Sequence, residues 1–208
     1  METIKEYKKR QAGFSIAEMI VAMLIMIVVM GLVSTLLARS LNVRSRESSR
    51  TDALTAAQAA LNVMSREIAN SGYGLVTNGL VNDSNADRLH FNSNVVNSNE
   101  ALTDVGEDVT YFFEPVTQSI LRYDKNVGGG QTSIIINRIS NVRFDYFDYS
   151  GSSPIPVGPN ATPSFNTGRV RITLTVSLER VQGQVNPHSV VLTSDVTLRN
   201  SDYMLRNY

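Results

Sequence analysis

The chain contains no cysteine, which excludes disulfide bonds, thiolate chemistry and cysteine-ligated zinc and fits either redox compartment. Histidine is scarce as well. His90 and His188 stand far apart in the sequence, whereas histidines that bind a metal usually cluster with other ligands. Net positive charge is also absent, because Lys plus Arg and Asp plus Glu both number 19. The composition therefore favours neither a nucleic acid partner nor a metal or organic cofactor.

One long apolar run stands out from an otherwise polar sequence. Hydrophobic residues make up 42% of the chain, and many of them fall within residues 14–38. No charge interrupts residues 19–38, which as a helix are long enough to cross a hydrocarbon core of about 30 Å. Four basic residues closely precede the run and place the N-terminus in the cytoplasm: Lys5, Lys8, Lys9 and Arg10.

A cleaved secretory signal peptide is the alternative interpretation of this run. The apolar stretch is longer than the h-region of such a peptide, and no small-residue cleavage site followed by a turn ends it. Ala38, Arg39 and Ser40 come closest to such a site, but helical patterning continues through them. Any cleavage is therefore expected before the apolar run.

The segment GFSIAEMIVAM, which begins at Gly13, resembles the class III signal of type IV pilins and pseudopilins. In that family a short basic leader ends in Gly, a prepilin peptidase cuts after it, and the new N-terminal Phe is methylated. The resemblance implies that residues 1–13 are the leader, that cleavage falls between Gly13 and Phe14, and that Phe14 is methylated. Glu18 matches the Glu at the fifth mature position. The three residues between Phe14 and Glu18 depart mildly from the commonest Thr-Leu-Ile.

Glu18 is an ionisable residue inside an apolar segment, where a carboxylate costs about 2.5 to 3.5 kcal/mol at the bilayer centre. The resemblance implies a reason for it. Cleavage leaves a charged amine on Phe14, and the carboxylate of a neighbouring subunit neutralises that amine during assembly. Both groups lie near a helix N-terminus, whose dipole favours the anion. The alternative is an ordinary signal anchor with a Glu near the interface, where snorkelling lowers the cost.

Helical patterning continues beyond the apolar run to about residue 70. Residues 14–38 are thus predicted to form the membrane-spanning half of one long helix, and residues 39–72 its amphipathic half. The apolar residues of the second half follow helical spacing and predict packing against a sheet: Leu54, Ala57, Leu61, Met64 and Ile68. Three small residues are expected to broaden this face: Ala53, Ala56 and Ala60. Gly72 is the predicted C-cap residue.

Beyond residue 75 the apolar period changes from that of a helix to that of a strand. The pattern predicts strands over residues 109–114, 120–123, 133–139, 142–147, 170–178 and 190–198. The first two flank PVTQS and form a candidate hairpin. Two long loops, residues 76–106 and 150–168, interrupt the strands. The predicted class is α+β, with the long helix packed on an antiparallel sheet domain over residues 73–208.

Three segments together resemble the PilW-type minor pilins, and less closely the J-type minor pseudopilin of type II secretion. They are LNVMSREIANSGYG, ISNVRFDYFDYSG and RVRITLTVSLE. The Ser-Gly-Tyr-Gly sequence after the helix favours the first of the two groups. The resemblance implies a scarce subunit of a small tip complex that primes filament assembly.

Signals of other chemistry are weaker. Asp83, Asn85 and Asp87 stand at the first three ligand positions of an EF-hand-like loop, which makes calcium a candidate ligand. However, Arg88 occupies the position of the turn glycine and Asn94 that of the bidentate Glu, so a polar loop is the better interpretation.

Several arginines and tyrosines resemble a DNA-binding patch, although solvated strand faces look the same. They are Arg138, Arg143, Arg169, Arg171, Arg180, Tyr146 and Tyr149.

The sequence as a whole predicts a structural protein and not an enzyme: a minor pilin that primes type IV pilus assembly or sits in the tip complex. The expected partners are other minor and major pilins, the inner-membrane assembly platform and the prepilin peptidase. The expected location is the bacterial inner membrane, in a single pass with the C-terminal domain in the periplasm. A minor pseudopilin of type II secretion is the first alternative. A signal-anchored adhesion or binding module is the second, and it predicts an uncleaved N-terminus.

Overall fold

The computed structural model describes residues 13–96, 101–151, 153–178 and 189–207. The chain divides into two compact units, Met1–Glu47 and Ser48–Tyr208. The leader residues Lys5, Lys8, Lys9 and Arg10 lie outside the described residues. The predicted boundaries after residues 13, 38 and 72 stay predictions.

Helix α1, Ile16–Ala69, runs without a break from the apolar segment into the amphipathic one. No proline interrupts it, and a single glycine, Gly31, is too small a penalty to end a helix of this length. The helix ends where the amides of Asn70 and Ser71 turn back to the carbonyls of Glu67 and Ile68, at 3.1 and 3.0 Å. The predicted long N-terminal helix is confirmed.

Gly72 does not cap helix α1 in the predicted way. Its φ of +77° lies in the left-handed region that favours glycine. However, its amide donates to the carbonyl of Asn92 at 2.9 Å and not to a carbonyl in the last turn of the helix. The residue is needed for a tight backbone crossing, because a Cβ atom there would lie 2.5 Å from the carbonyl oxygen of Thr77.

The predicted apolar stripe of α1 is largely confirmed within the second unit. Five residues are buried against the sheets: Ala57, Ala60, Leu61, Met64 and Ile68. Ala53 is partly buried against the core and Leu54 is half-buried. Ala56 was expected on this face but is exposed, because it lies roughly 140° around the helix from Leu61.

In the described part of the chain, eight strands form two antiparallel sheets of four. Sheet 1 has the order β1-β2-β3-β4, with β1 Arg88–Asn92, β2 Asp108–Glu114, β3 Ser119–Asp124 and β4 Gln131–Ile136. Sheet 2 has the order β6-β5-β7-β8, with β5 Ile139–Asp148, β6 Val157–Asn160, β7 Thr167–Ser177 and β8 Ser189–Thr197. A short helix α2, Asp202–Asn207, follows. The sequence led us to expect one sheet, and the order shows why there are two: β4 and β5 are consecutive in sequence but do not pair.

Most strands lie where the sequence predicts them. The hairpin of β2 and β3 is confirmed, with Phe113 opposite Ile120. Strand β7 buries every second side chain from Val170 to Val176. The predicted strand at 133–139 is divided, because Arg138 has a φ of 60° and separates β4 from β5. Strands β1 and β6 occupy parts of the two segments predicted as loops.

The core lies where the stripe of α1 meets the inner faces of the two sheets. Its largest fully buried side chains include Met64 and Ile68 from the helix, Phe91 and Tyr111 from sheet 1, and Phe144 from sheet 2. The rings of Phe91 and Tyr111 stack with centroids 6.3 Å apart. The predicted α+β class is therefore confirmed, with the second half of the helix as part of the domain core.

Candidate functional site

The N-terminal end of α1 presents the residues that the sequence singles out for processing and assembly. Gly13 and Phe14 precede the helix, and the Phe14 side chain is 86% exposed. The carbonyl of Ser15 accepts the amide of Met19 at 3.2 Å, so Ser15 is the N-cap residue. Glu18 stands three positions later, and its Oε2 accepts the backbone amide of Ser15 at 2.9 Å. Glu18 therefore caps its own helix.

This cap is a contact that our sequence reasoning missed. The signal was present, because Ser15-Ile16-Ala17-Glu18 fits the S-x-x-E pattern of a capping box just before an apolar run. The contact satisfies one of the backbone amides that a helix N-terminus leaves without an intrahelical acceptor. It also holds the carboxylate close to Phe14, the residue whose amine is expected to be freed.

Within the described residues, the apolar surface of α1 in the first unit is uncovered. Every residue from 13 to 45 is exposed. Among the described residues, one helix is long and apolar enough to cross a membrane, with a mean hydropathy of 2.8 over its most apolar window. Such a surface requires lipid or other apolar helices around it. It is consistent with a membrane-anchored protein.

A part-buried cluster of polar and charged residues joins α1 to sheet 1. Glu67 Oε2 accepts the hydroxyl of Tyr111 at 2.7 Å and Nε of Arg122 at 2.9 Å. Nη1 of Arg122 also donates to Asp124 at 3.1 Å, and Asp124 accepts the amide of Gly106 at 2.9 Å. Each polar group of the cluster thus has a partner inside the fold.

The surroundings shift the pKa values of Tyr111 and Arg122 in this cluster. Burial, followed by the negative charge of Glu67, raises the pKa of the Tyr111 hydroxyl well above its ordinary value, so this group stays neutral and donates. Burial lowers the pKa of the Arg122 guanidinium, but the hydrogen bond and charge of Glu67 outweigh it, and the net shift is upward. The cluster is therefore suited to holding the helix on the sheet.

The candidate calcium residues lie in the turn before β1. Asp83 contacts Arg88 through Oδ2 at 3.2 Å and the ring of His90 through Oδ1 at 2.7 Å. Oδ1 of Asn85 accepts the amide of Asp87 at 2.9 Å. Within the described residues, no group of three or more acidic or histidine side chains is placed to hold a metal ion. Calcium binding by Asp83, Asn85 and Asp87 stays a prediction.

The two histidines of the sequence cannot be compared in space, because His188 lies outside the described residues. His90 lies between two carboxylates, with Nδ1 2.7 Å from Asp83 and Nε2 2.8 Å from Asp108. Asp108 also pairs with Lys125 at 3.2 Å. His90 therefore joins the turn before β1 to strand β2.

The candidate basic and aromatic patch lies mainly on sheet 2. Arg143 pairs with Asp145 at 2.7 Å, and Arg171 forms two bonds with Asp195 at 2.7 and 3.0 Å. Two members differ from expectation: Tyr146 is buried, and Tyr149 stacks on Tyr203. Arg180 lies outside the described residues. Carboxylates thus offset much of the positive charge that the sequence pattern suggests, which weakens the case for DNA on this face.

Comparison with known proteins gives one match. Residues 8–34 match the family described as the prokaryotic N-terminal methylation motif. The matched segment contains Gly13, Phe14, Ser15 and Glu18, the residues whose geometry is described above. No curated protein and no solved structure matches the chain. The match covers the N-terminal segment alone and does not characterise the sheet domain.

Proposed function

Because the chain carries the prepilin-like leader motif of the type IV pilin and pseudopilin superfamily, we propose that it is a minor pilin that primes type IV pilus assembly or sits in the tip complex. The observation that carries this proposal is the matched motif, which leads directly into an apolar helix whose residues 13–45 are exposed in the described structure. In this function the helix enters a bundle with the helices of related subunits, and the sheet domain presents its edges and loops to them.

The proposed location follows from the same segment. The apolar part of α1 spans the bacterial inner membrane once, with the basic leader on the cytoplasmic side and residues 48–208 in the periplasm. The prepilin peptidase then meets the leader, and the assembly platform and other pilins meet the mature helix. A minor pseudopilin of type II secretion would share each of these steps, so it remains the first alternative.

We also propose that the protein acts without catalysis. In the part of the chain that the structure describes, five groups have clearly perturbed pKa values, and each takes part in a hydrogen bond within the protein: Tyr111, Arg122, Tyr146, Arg171 and Asp195. Perturbed groups of this kind are typical of structural ion-pair and hydrogen-bond networks as well as of active sites. The partners found here favour the structural role.

Glu18 offers the sharpest test, because two roles of its side chain can be separated. Glu18→Ala removes both the cap to Ser15 and the negative charge. Glu18→Gln retains an oxygen that can accept the Ser15 amide, as Gln does in capping boxes, but it removes the charge. If the carboxylate neutralises the freed amine of a subunit during assembly, both variants should fail to assemble.

The experiment is complementation of a strain that lacks this protein, scored by surface filaments and by secretion. A blot for processed, membrane-localised protein is the control, and both variants should pass it because the charge is unfavourable in the apolar segment. Recovery of filaments with Glu18→Gln would show that only the cap matters and would refute the charge-pairing role. Loss of secretion with normal filaments would assign the protein to a secretion system instead.

A further inference from the structure

A pocket of about 330 Å³ opens on the surface of the second unit, away from the N-terminal segment in sequence. It lies between the loop over residues 75–82, the end of β1 at Asn92, and the loop over residues 163–165. Its volume is at the lower end of the range found for small-molecule sites. The residues that carry the proposed function, from Gly13 to Glu18, are not among those that line this pocket, so the inference below does not rest on that function.

The walls of the pocket are tied together by one side chain, Asn78. Its Nδ2 donates to the carbonyls of Ser164, Phe165 and Thr167 at 2.9, 3.2 and 2.9 Å. Its Oδ1 accepts the amide of Leu80 at 3.2 Å. Asn78 therefore joins the two loops and organises the pocket through hydrogen bonds within the protein.

The floor of the pocket is a close backbone crossing that only glycine permits. Asn92 bonds to both glycines at this crossing: its amide donates to the Gly79 carbonyl at 2.8 Å, and its carbonyl accepts the Gly72 amide at 2.9 Å. A Cβ atom on Gly79 would collide with the backbone of Gly72 and Asn92. The φ of Gly79, +75°, adds to this requirement. The floor is thus rigid as well as preformed.

The chemistry of the lining is mixed and uncharged. None of the eleven lining residues carries a charge. Among the described residues, the Asn82 side chain is exposed and has no hydrogen-bond partner, and Oδ1 of Asn92 is buried without one. Phe165 forms part of the wall with 59% of its side chain exposed, although Asn78 holds its backbone. The pocket thus offers amide groups and an exposed aromatic ring side by side.

We propose that this pocket binds a neutral saccharide unit. A charged ligand would lose its hydration without gaining a counter-charge, and a purely apolar ligand would cover amide groups without bonding to them. A sugar ring has hydroxyl groups that both donate and accept, which suits the exposed amide of Asn82, and an apolar face that can lie on Phe165. The site is preorganised, so little of the binding free energy is spent on ordering it.

The test is a titration of the full chain with glucose, galactose, mannose and N-acetylglucosamine, in which ligand-observed NMR measures binding. The protein is held in a zwitterionic detergent, because detergents with sugar head groups would compete for the pocket. We expect at least one sugar to saturate the protein with a Kd of about 1 to 10 mM, and Phe165→Ala or Asn82→Ala to weaken it by about tenfold. The control Val116→Ala removes an exposed apolar side chain in the turn after β2 and should bind as the unmodified chain does.

Three results would overturn the proposal. The first is the absence of saturation by every sugar up to about 50 mM, well above the millimolar range expected for a single sugar unit. The second is equal binding by Phe165→Ala and the unmodified chain, which would place the sugar elsewhere. The third is preferential binding of glucuronate or of N-acetylglycinamide over all four sugars, which would assign the pocket to an anion or to a peptide. Unchanged melting temperatures of the variants ensure that lost binding does not report lost folding.

Discussion

At the scale of single residues, Glu67 is the link between the helix and sheet 1. One carboxylate oxygen accepts both Tyr111 and Arg122, so the two donors depend on the same acceptor. Arg122 is 18% exposed and Glu67 34%, which leaves the cluster part-buried. Removal of the shared acceptor would leave a guanidinium and a hydroxyl in a poorly hydrated place, and that penalty exceeds the net gain from an ordinary hydrogen bond.

Glu67→Leu is accordingly expected to lower the free energy of unfolding by about 1.5 to 3 kcal/mol. The full penalty of a deeply buried pair is not expected, because water reaches part of the Glu67 side chain. The measurement is urea denaturation of the full chain in detergent. Unfolding is monitored by tyrosine fluorescence, because the chain has no tryptophan. Asp202→Ala is the control: its pair with Arg206 is exposed on α2 and should contribute less than about 0.5 kcal/mol. Equal losses in the two variants would contradict the argument.

Gly79 and Gly106 provide a matched pair for a second prediction. Both have positive φ values, +75° and +88°, so alanine is strained at either position. A Cβ at Gly106 meets nothing within 4 Å, whereas one at Gly79 collides with the backbone of Gly72 and Asn92. Gly106→Ala should cost about 1 to 2 kcal/mol, the ordinary cost of a left-handed residue. Gly79→Ala should cost at least about 2 kcal/mol more, and similar losses in the same denaturation assay would show that the backbone crossing can relax.

At the scale of elements, the regular patterns were predictable and the short ones were not. The stripe of α1 and the alternation of β7 repeat over many residues, so their period is visible in the sequence. Strand β1 has five residues and β6 has four, which is too few to show a period within polar surroundings. Their formation depends on pairing with β2 and β5, partners that lie elsewhere in the chain.

In the candidate sites too, contacts between residues close in sequence were predictable, and contacts between residues far apart in sequence were not. Ser15 and Glu18 are three residues apart, so their contact can be inferred from the sequence once the capping pattern is considered. The contact of Glu67 with Arg122 joins residues 55 apart, and that of Asn78 with Ser164 joins residues 86 apart. Such pairs depend on the register of the strands and the path of the loops, which no local pattern specifies.

Leu61 tests whether the stripe of α1 belongs to the domain core. It is 2% exposed and lies at the centre of the buried face, between Ala57 and Met64. Leu61→Ala should lower the free energy of unfolding by about 2 to 5 kcal/mol, and Leu61→Asp by more, because an unpaired charge would be buried. The control is Val63→Ala on the same helix, where the side chain is 44% exposed and the loss should stay within about 0.5 kcal/mol. Melting of Leu61→Asp at the unmodified temperature would place this face against solvent or a partner.

At the scale of the whole molecule, one continuous helix takes part in two compact units, which differ in how the apolar side chains of the helix are covered. Between residues 13 and 45 its apolar side chains are uncovered, and between Ala57 and Ile68 they are buried by the sheets of its own chain. The second unit therefore satisfies its apolar surface internally, whereas the first can do so only with lipid or other helices. This difference is what a subunit needs if it must keep its fold while its N-terminal helix moves from a membrane into a bundle.

In the proposed function processing comes before assembly, and the whole chain should show it directly. We expect the protein extracted from membranes to begin at Phe14 with a methylated amine, because the basic leader ends at the Gly13–Phe14 junction within the matched methylation motif. Intact mass spectrometry measures both changes at once. Gly13→Ala should be cut at least in part, since the residue before the junction must be small, whereas Gly13→Leu should block the cut and leave the leader in place. A membrane-extracted protein that still begins at Met1 would contradict the pilin interpretation and favour an uncleaved signal anchor. In such an anchor the amine of Phe14 is not freed, so the charge on Glu18 has no amine to pair with.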